Sequence, residues 1–253
     1  MQLRRAIALL TLAALAIAGI AYAAPRSNDD LPEKYQKSPF TLMSLSVGAP
    51  TSGWQLRAKK LRPSPHLFIK PNSRSNVYGH PALVLMLQRS AKQMARDAHG
   101  ARLLVGDLSS KYGGPLPKHR SHQSGRDADV GFFVTNQKGQ PRNIDRFIAM
   151  DREGNARDGS GYKFDDYRNW LLVQLWMKDT RAKIMYVFVA SHLRRRLLDF
   201  AAARPLFRKY VERASTFLRQ PSNSSAHDDH FHVRIACPDR QQPLCVQHVA
   251  VSD

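Results

Sequence analysis

Two short histidine-rich segments, far apart in this 253-residue chain, constrain its fold more than any other feature. Acidic residues are interleaved with them, and they hold five of the ten histidines: His119, His122, His227, His230 and His232. Imidazole nitrogens and carboxylate oxygens suit Zn²⁺, and catalytic zinc sites keep three protein ligands and leave the fourth position for water. A lone histidine in a strand is more often an ordinary hydrogen-bonded residue, so the prediction of a metal site depends on this clustering.

Both segments have the alternation of a strand that is polar on one face and apolar on the other. In residues 129–134 the aspartate points one way, and the valine and phenylalanine side chains that alternate with it point the other way. In residues 230–235, His230 and His232 share one face, and the apolar side chains share the opposite face. Spacing therefore indicates His122, Asp129 and one of His230 and His232 as metal ligands on a sheet.

Periodicity along the rest of the chain predicts one α+β domain, with a mainly antiparallel central sheet flanked by helices and the metal site on the sheet. The predicted helices cover 81–99, 165–177 and a basic segment from about 192. The predicted strands cover 44–47, 66–69, 103–108 and 183–190.

The first predicted helix should bury its apolar residues, Leu83, Leu85, Leu87, Ala91 and Met94. Trp170 should lie in the core rather than form a substrate platform. The loop over 135–163 either overhangs the metal site or is an ordinary surface excursion.

The histidine segments closely resemble the metal motifs of the penicillin-insensitive murein endopeptidases. The motifs are residues 118–130 and 226–235, and the similarity continues through 164–173 and 44–50, so that it covers most of the chain. The resemblance implies a zinc D,D-endopeptidase that hydrolyses D-alanyl–diaminopimelyl cross-links in peptidoglycan. Two alternatives stay open: a D,D-carboxypeptidase of the same group, and a non-catalytic, metal-stabilised module that binds the cell wall.

The resemblance also implies roles for individual residues. It selects His232 as the third zinc ligand, beside His122 and Asp129. It places His227 and His230 next to the metal-bound water, and His230 is the preferred base because it shares the strand face with His232. His119, three residues before the first ligand, is expected to line the substrate groove.

The first residues predict export to the periplasm. Residues 1–23 have the pattern of a cleavable signal peptide: two arginines, an apolar run, and Ala21-Tyr22-Ala23. The alternative is an uncleaved anchor, because the apolar run approaches the length that spans a bilayer. The small residues at 21 and 23 favour cleavage, after which no stable membrane insertion is expected. Residues 24–43 then form an extended arm, and residues 44–253 form the zinc peptidase domain.

The chain is strongly basic, with a formal net charge of +19 that becomes +17 once the two arginines of the signal are removed. Such a surplus attracts polyanions, and for an exported protein these include murein. Nucleic acid is not expected as a partner, because no nucleic-acid-binding motif orders the basic residues. The basic run 193–198 predicts one face of an amphipathic helix, and most such faces are simply solvated. The sequence does not indicate an oligomeric state.

Cys237 and Cys245 are the two cysteines of the chain, and they lie just after the segment that contains His232. An exported protein meets oxidising conditions that permit disulfides. We therefore expect a local Cys237–Cys245 bridge that closes a short loop and fixes the end of that strand.

Overall fold

The computed structural model describes residues 44–220, 227–238, 241–242 and 244–247. The predicted signal peptide, 1–23, and the predicted arm, 24–43, lie outside these residues. Across the described ranges, no helix combines the length and the apolar character that a membrane span requires.

The regular elements are short strands and helices that alternate along the chain. The helices are α1 (Pro81–Asp97), α2 (Asp166–Lys178), α3 (Ser191–Ala202), α4 (Pro205–Arg208) and α5 (Val211–Phe217). The strands are β1 (Leu45–Ala49), β2 (Ser52–Leu56), β3 (Lys59–Lys60), β4 (Leu67–Ile69), β5 (Tyr78–Gly79), β6 (Leu103–Val105), β7 (Asp127–Gly131), β8 (Val134–Thr135), β9 (Pro141–Arg142), β10 (Lys163–Phe164), β11 (Ile184–Phe188), β12 (Leu218–Arg219) and β13 (His230–Ile235).

The central sheet has six strands in the order β12-β11-β13-β7-β6-β4. The four inner strands pair antiparallel, whereas the outer pairs β11–β12 and β4–β6 are parallel. Helices pack against this sheet, so the structure confirms the α+β prediction with a mainly antiparallel sheet. The two strands that contain the histidine and aspartate motifs, β7 and β13, are direct neighbours at its centre.

The apolar face of β13 explains why this strand lies at the centre. Phe231 is fully buried, and its ring makes edge-to-face contacts with Phe132 at 4.8 Å and with Trp176 of α2 at 5.6 Å. Burial of a large aromatic side chain contributes about 1.5–3 kcal/mol. Trp170, also on α2, is fully buried, as the sequence predicted. The core therefore forms behind the sheet and leaves the histidine face of β13 for other contacts.

The two long helices begin at side-chain caps. His80 accepts a hydrogen bond from the Ala82 backbone N–H through Nδ1, and Pro81 occupies the first turn of α1. Asp165 accepts from the Arg168 backbone N–H in the same way at the start of α2. One prediction for α1 was wrong: Leu85 is 42% exposed. It lies two residues from both Leu83 and Leu87, and at 100° per residue this spacing turns it off their buried face.

The predicted disulfide joins Cys237 to Cys245 at the end of β13. The segment that follows adds to β1, where the Val246 N–H donates to the Gly48 carbonyl. The buried Arg126 guanidinium donates to the carbonyl of Val246 at 2.6 Å. The bridge thus holds residues 244–247 near the loop that contains Arg126.

Removal of this bridge is expected to lower the free energy of unfolding by about 2–3 kcal/mol. The cross-link closes a short loop and so reduces the conformational entropy of the unfolded chain, which corresponds to a free energy of about that size. A Cys237→Ser, Cys245→Ser double variant should therefore unfold at lower urea concentration than the oxidised wild type. Reduced wild type is the matched control and should behave like the variant. Equal midpoints for the oxidised protein and the variant would contradict the prediction.

Candidate metal centre

Strand pairing brings the two motifs together on one face of the sheet. In the β7–β13 register, His232 lies opposite Asp129 and Arg234 lies opposite Asp127. Residues directly opposite in antiparallel strands place their side chains on the same face, within contact distance. His122 joins them from the loop before β7. The alternation predicted for residues 230–235 is therefore present, whereas the strand that contains Asp129 ends at Gly131 instead of continuing to Val134. In both strands the polar face is the one that the sequence indicated.

Three imidazole nitrogens converge on one oxygen of Asp129. The distances to Asp129 Oδ1 are 3.2 Å from His122 Nε2, 3.3 Å from His230 Nε2 and 3.4 Å from His232 Nδ1. Asp129 is 2% exposed and His122 is fully buried. The group therefore sits in the sheet, away from bulk water.

The second nitrogen of His122 fixes its tautomer. Nδ1 lies 2.6 Å from the Leu108 carbonyl oxygen, which can only accept, so Nδ1 carries the proton. In the neutral imidazole, which is the form that binds a metal, the lone pair of Nε2 then faces Asp129. Within the part of the chain that the structure describes, His122 Nε2 and Asp129 Oδ1 are buried atoms without a hydrogen-bond partner.

His232 is oriented by a buried carboxylate. Its Nε2 lies 2.9 Å from Asp127 Oδ1, which also accepts from Arg234 Nε at 2.6 Å. Burial raises the pKa of Asp127, but Arg234 and His232 outweigh it, so Asp127 stays charged and accepts from Nε2–H. The lone pair of His232 Nδ1 therefore faces Asp129. A carboxylate behind the imidazole is the usual outer partner of a histidine that binds zinc.

These residues fit a zinc ion by the chemistry of their donors. Two imidazole lone pairs and a carboxylate oxygen, all acceptors, face one another in a buried space, and buried polar groups of this kind need a partner. A cation satisfies all three, and two nitrogens with one oxygen form a donor set that zinc accepts. Burial lowers the pKa of His232 to about 4, so this imidazole is neutral at pH 7, which is the form that binds a metal.

A second set of three shares two of these residues. Ligand atoms of His119, His122 and Asp129 all lie within 4.8 Å of one another, so this group could also hold a metal ion. His119 approaches the other carboxylate oxygen, with Nδ1 at 3.8 Å from Asp129 Oδ2. Its Nε2 lies 3.1 Å from Asp107 Oδ2. The structure thus places His119, predicted to line the substrate groove, beside His122 and Asp129.

His230 stands at the edge of the cluster. Its Nδ1 lies 2.5 Å from Asp229 Oδ1, and its ring stacks on Phe147 at 4.8 Å with an interplanar angle of 21°. Burial disfavours its charged form, but Asp129 and Asp229 outweigh burial and raise the pKa of His230 to about 10. A cation bound to Asp129 would lower the pKa of His230. The His227 ring lies 5.3 Å from the rings of both His230 and His232.

The backbone at the centre departs from the usual conformations. His122 has a φ of +70° and His227 a φ of +51°, in the left-handed region that residues other than glycine rarely adopt. Such conformations cluster at functional sites, where the surroundings hold them. The His122 N–H donates to Asp127 Oδ2 at 3.2 Å. Gly125 has a φ of +72°, and a Cβ there would lie 1.8 Å from Gln55 Oε1, so this turn requires glycine.

Three residues at the site were not predicted from the sequence: Asp127, Asp107 and Phe147. Asp127 had a signal, because it lies two residues before Asp129 and a strand places both on one face. Asp107 follows β6, and its contact with His119 is formed by the tertiary structure, so the local sequence pattern does not indicate it. Phe147 belongs to the loop over 135–163, which therefore reaches the site at this ring.

Asp127→Asn is expected to weaken metal binding by about 10–100-fold, as loss of an outer partner of a metal-binding histidine does. Asparagine keeps the size and an acceptor oxygen but loses the charge that orients His232. Competition with a chromophoric chelator measures the affinity, and Asp145→Asn, at an exposed position, is the matched control. Wild-type affinity in an Asp127→Asn protein with a native circular dichroism spectrum would rule out the orienting role.

The fold and the site together define an α+β protein with a candidate histidine–carboxylate metal centre on its central sheet. Residues 46–253 match the family model described as penicillin-insensitive murein endopeptidase. Because the match covers most of the chain, this protein belongs to that family. The family resemblance inferred from the two histidine motifs is thereby confirmed.

Curated relatives with the name penicillin-insensitive murein endopeptidase are similar at low identity. The protein of Haemophilus influenzae is 28% identical over 203 residues, which cover 76% of this chain and 63% of that protein. The protein of Escherichia coli is 25% identical over 196 residues, which cover 76% of this chain and 66% of that protein. The chain thus spans just under two thirds of the length of these relatives.

Proposed function

We propose that this protein is a zinc-dependent D,D-endopeptidase that hydrolyses D-alanyl–diaminopimelyl cross-links in peptidoglycan. The observation that carries the proposal is the convergence of His122 Nε2 and His232 Nδ1 on Asp129 Oδ1 in a buried space. Family membership supports this substrate class, since the relatives are named for murein.

His122, Asp129 and His232 are the proposed zinc ligands. The geometry also allows His119 in place of His232, but three differences favour His232. His232 is 5% exposed, and its distal nitrogen is held by a fully buried carboxylate, whereas His119 is only half-buried. His232 and His122 also approach the same oxygen of Asp129, which His119 does not.

The reaction needs an attacking water, a base and an acid. When bound, zinc lowers the pKa of water towards neutrality and polarises the scissile carbonyl. His230 is the proposed base that accepts a proton from water and later protonates the leaving amine. Asp229 holds its Nδ1, so Nε2 faces the ligands, and Phe147 holds the plane of the ring. His227 stands beside it, and His119 lines the groove.

This mechanism forms no acyl-enzyme, because the nucleophile is water. β-Lactams act by acylating a nucleophilic serine, so they should not block the reaction. The proposal includes export to the periplasm by the signal at residues 1–23. The net charge of +17 after its removal would hold the enzyme near murein, an anionic polymer.

Digestion of purified murein sacculi tests this function against its alternatives. The endopeptidase should convert cross-linked dimers to monomers, and a D,D-carboxypeptidase should release free D-alanine. A wall-binding module should sediment with sacculi and leave the fragments unchanged. The Asp129→Ala variant is the matched inactive control. Sacculi that keep all their dimers after treatment with zinc-loaded protein would overturn the proposal.

A further inference from the structure

A basic cavity of about 730 Å³ opens next to the segment that contains the catalytic histidines. Four arginines line it: Arg152 and Arg157 from the loop before β10, and Arg195 and Arg196 from α3. Asp228, which follows His227 directly, forms part of its wall. The Asp228 carbonyl accepts from the Met150 N–H at 2.8 Å, so the arginine loop and the histidine segment are joined by a backbone hydrogen bond.

Two of the arginines are held by partners, and two are available. Arg157 pairs with Asp228 at 3.3 Å, and Arg196 pairs with Asp166 at 2.6 Å. Arg152 and Arg195 are exposed, and no residue in the described ranges forms an ion pair or a hydrogen bond with either guanidinium. Four cations thus face two lining carboxylates, Asp228 and Asp199.

Helix α3 adds to this positive potential. Its first residues, Ser191 and His192, line the cavity, so the N-terminal end of the helix dipole points there. The His192 ring Nε2 lies 3.0 Å from the Met150 carbonyl oxygen. The basic run of α3 also places Arg195 and Arg196 at this cavity, next to the segment that contains His227.

We propose that this cavity, lined by Arg152, Arg157, Arg195 and Arg196, binds a free carboxylate of the murein peptide next to the cross-link being cleaved. The inference rests on the proposed function for its substrate. Peptides of murein carry carboxylates at fixed distances from the cross-link, and guanidinium groups bind carboxylates in a planar, bidentate geometry. Binding energy from such a distant group can position the reacting bond.

An Arg152→Gln, Arg195→Gln double variant tests the inference. It removes the two guanidinium groups that lack partners and leaves the Arg157–Asp228 and Arg196–Asp166 pairs in place. Arg62→Gln, at an exposed position between β3 and β4, is the matched control. The probes are a purified cross-linked muropeptide dimer and the same dimer with its free carboxylates converted to amides. Binding of both is measured by titration calorimetry on zinc-loaded protein in the His230→Ala background, in which cleavage of the dimer is expected to be about 100-fold slower or more.

The protein with the unsubstituted cavity should bind the free-acid dimer about tenfold more tightly than the amidated dimer. This is the size of effect expected from one hydrogen bond to a charged group at a site that solvent reaches. The double variant should lose this preference, and the Arg62→Gln control should keep it. The inference is overturned if the double variant keeps this preference, or if the protein with the unsubstituted cavity does not show it. Failure of the proposed function has a different signature: the preference is present, but wild-type protein releases no monomers from sacculi.

Discussion

His122→Ala, Asp129→Ala and His232→Ala are each expected to abolish tight zinc binding and, with it, cleavage of murein dimers. Three protein ligands leave no replacement when one is lost. The loss should therefore exceed the roughly 10–100-fold that removal of an outer partner costs. Elemental analysis of folded, dialysed protein gives the zinc content directly. His119→Ala is expected to retain zinc, because the proposed set uses His232 in its place.

This set of variants separates the two candidate ligand groups that share His122 and Asp129. His99→Ala, at an exposed position, is the control for the substitution itself. Thermal unfolding gives a second measurement, because a ligand that binds only the folded state stabilises it. A chelator should lower the melting temperature of wild type and leave that of His232→Ala unchanged. If folded His232→Ala protein keeps its full zinc content and His119→Ala protein loses its zinc, the ligands are His119, His122 and Asp129 instead of the proposed set.

The central part of the fold was predictable because each relevant strand has one polar and one apolar face. Phe231 alternates with the histidines of β13, so burial of its ring in the core fixes which way His232 points. The pairing of β13 with β7 then brings His232 opposite Asp129. The sequence showed which residues share a face, and the structure places His232 Nδ1 at 3.4 Å from Asp129 Oδ1.

Other features depend on contacts that local pattern does not encode. Asp107 lies close to His119 only because β6 and β7 are adjacent. Phe147 lies in a segment without periodicity, and only the tertiary fold places its ring on His230. The four arginines of the cavity are drawn from a loop and a helix, so no single run of sequence indicated the site. The alternation of side chains within one strand could thus be predicted from the sequence, whereas contacts between residues of different elements could not.

His230→Ala is expected to keep zinc and to lose turnover by about 10²–10⁴-fold, the usual contribution of general acid–base catalysis. The proposed ligands remain in place, so the bound water stays polarised but lacks a positioned base. Murein binding should change little, because the loss lies in proton transfer. His227 lies 5.3 Å from His230 ring to ring, and partial substitution by His227 would put the loss at the lower end of the range.

Zinc content, sacculus binding and dimer cleavage should be measured on one preparation of each variant. Phe147→Leu removes the stacked ring but keeps the imidazole, so it should retain zinc and lose less turnover than His230→Ala. Dimer cleavage at the wild-type rate by His230→Ala would disprove its role and transfer the base to His227 or to solvent. Loss of zinc together with turnover would instead make His230 a ligand, consistent with the 3.3 Å between its Nε2 and Asp129 Oδ1. The ratio of the two losses therefore assigns the residue to one role.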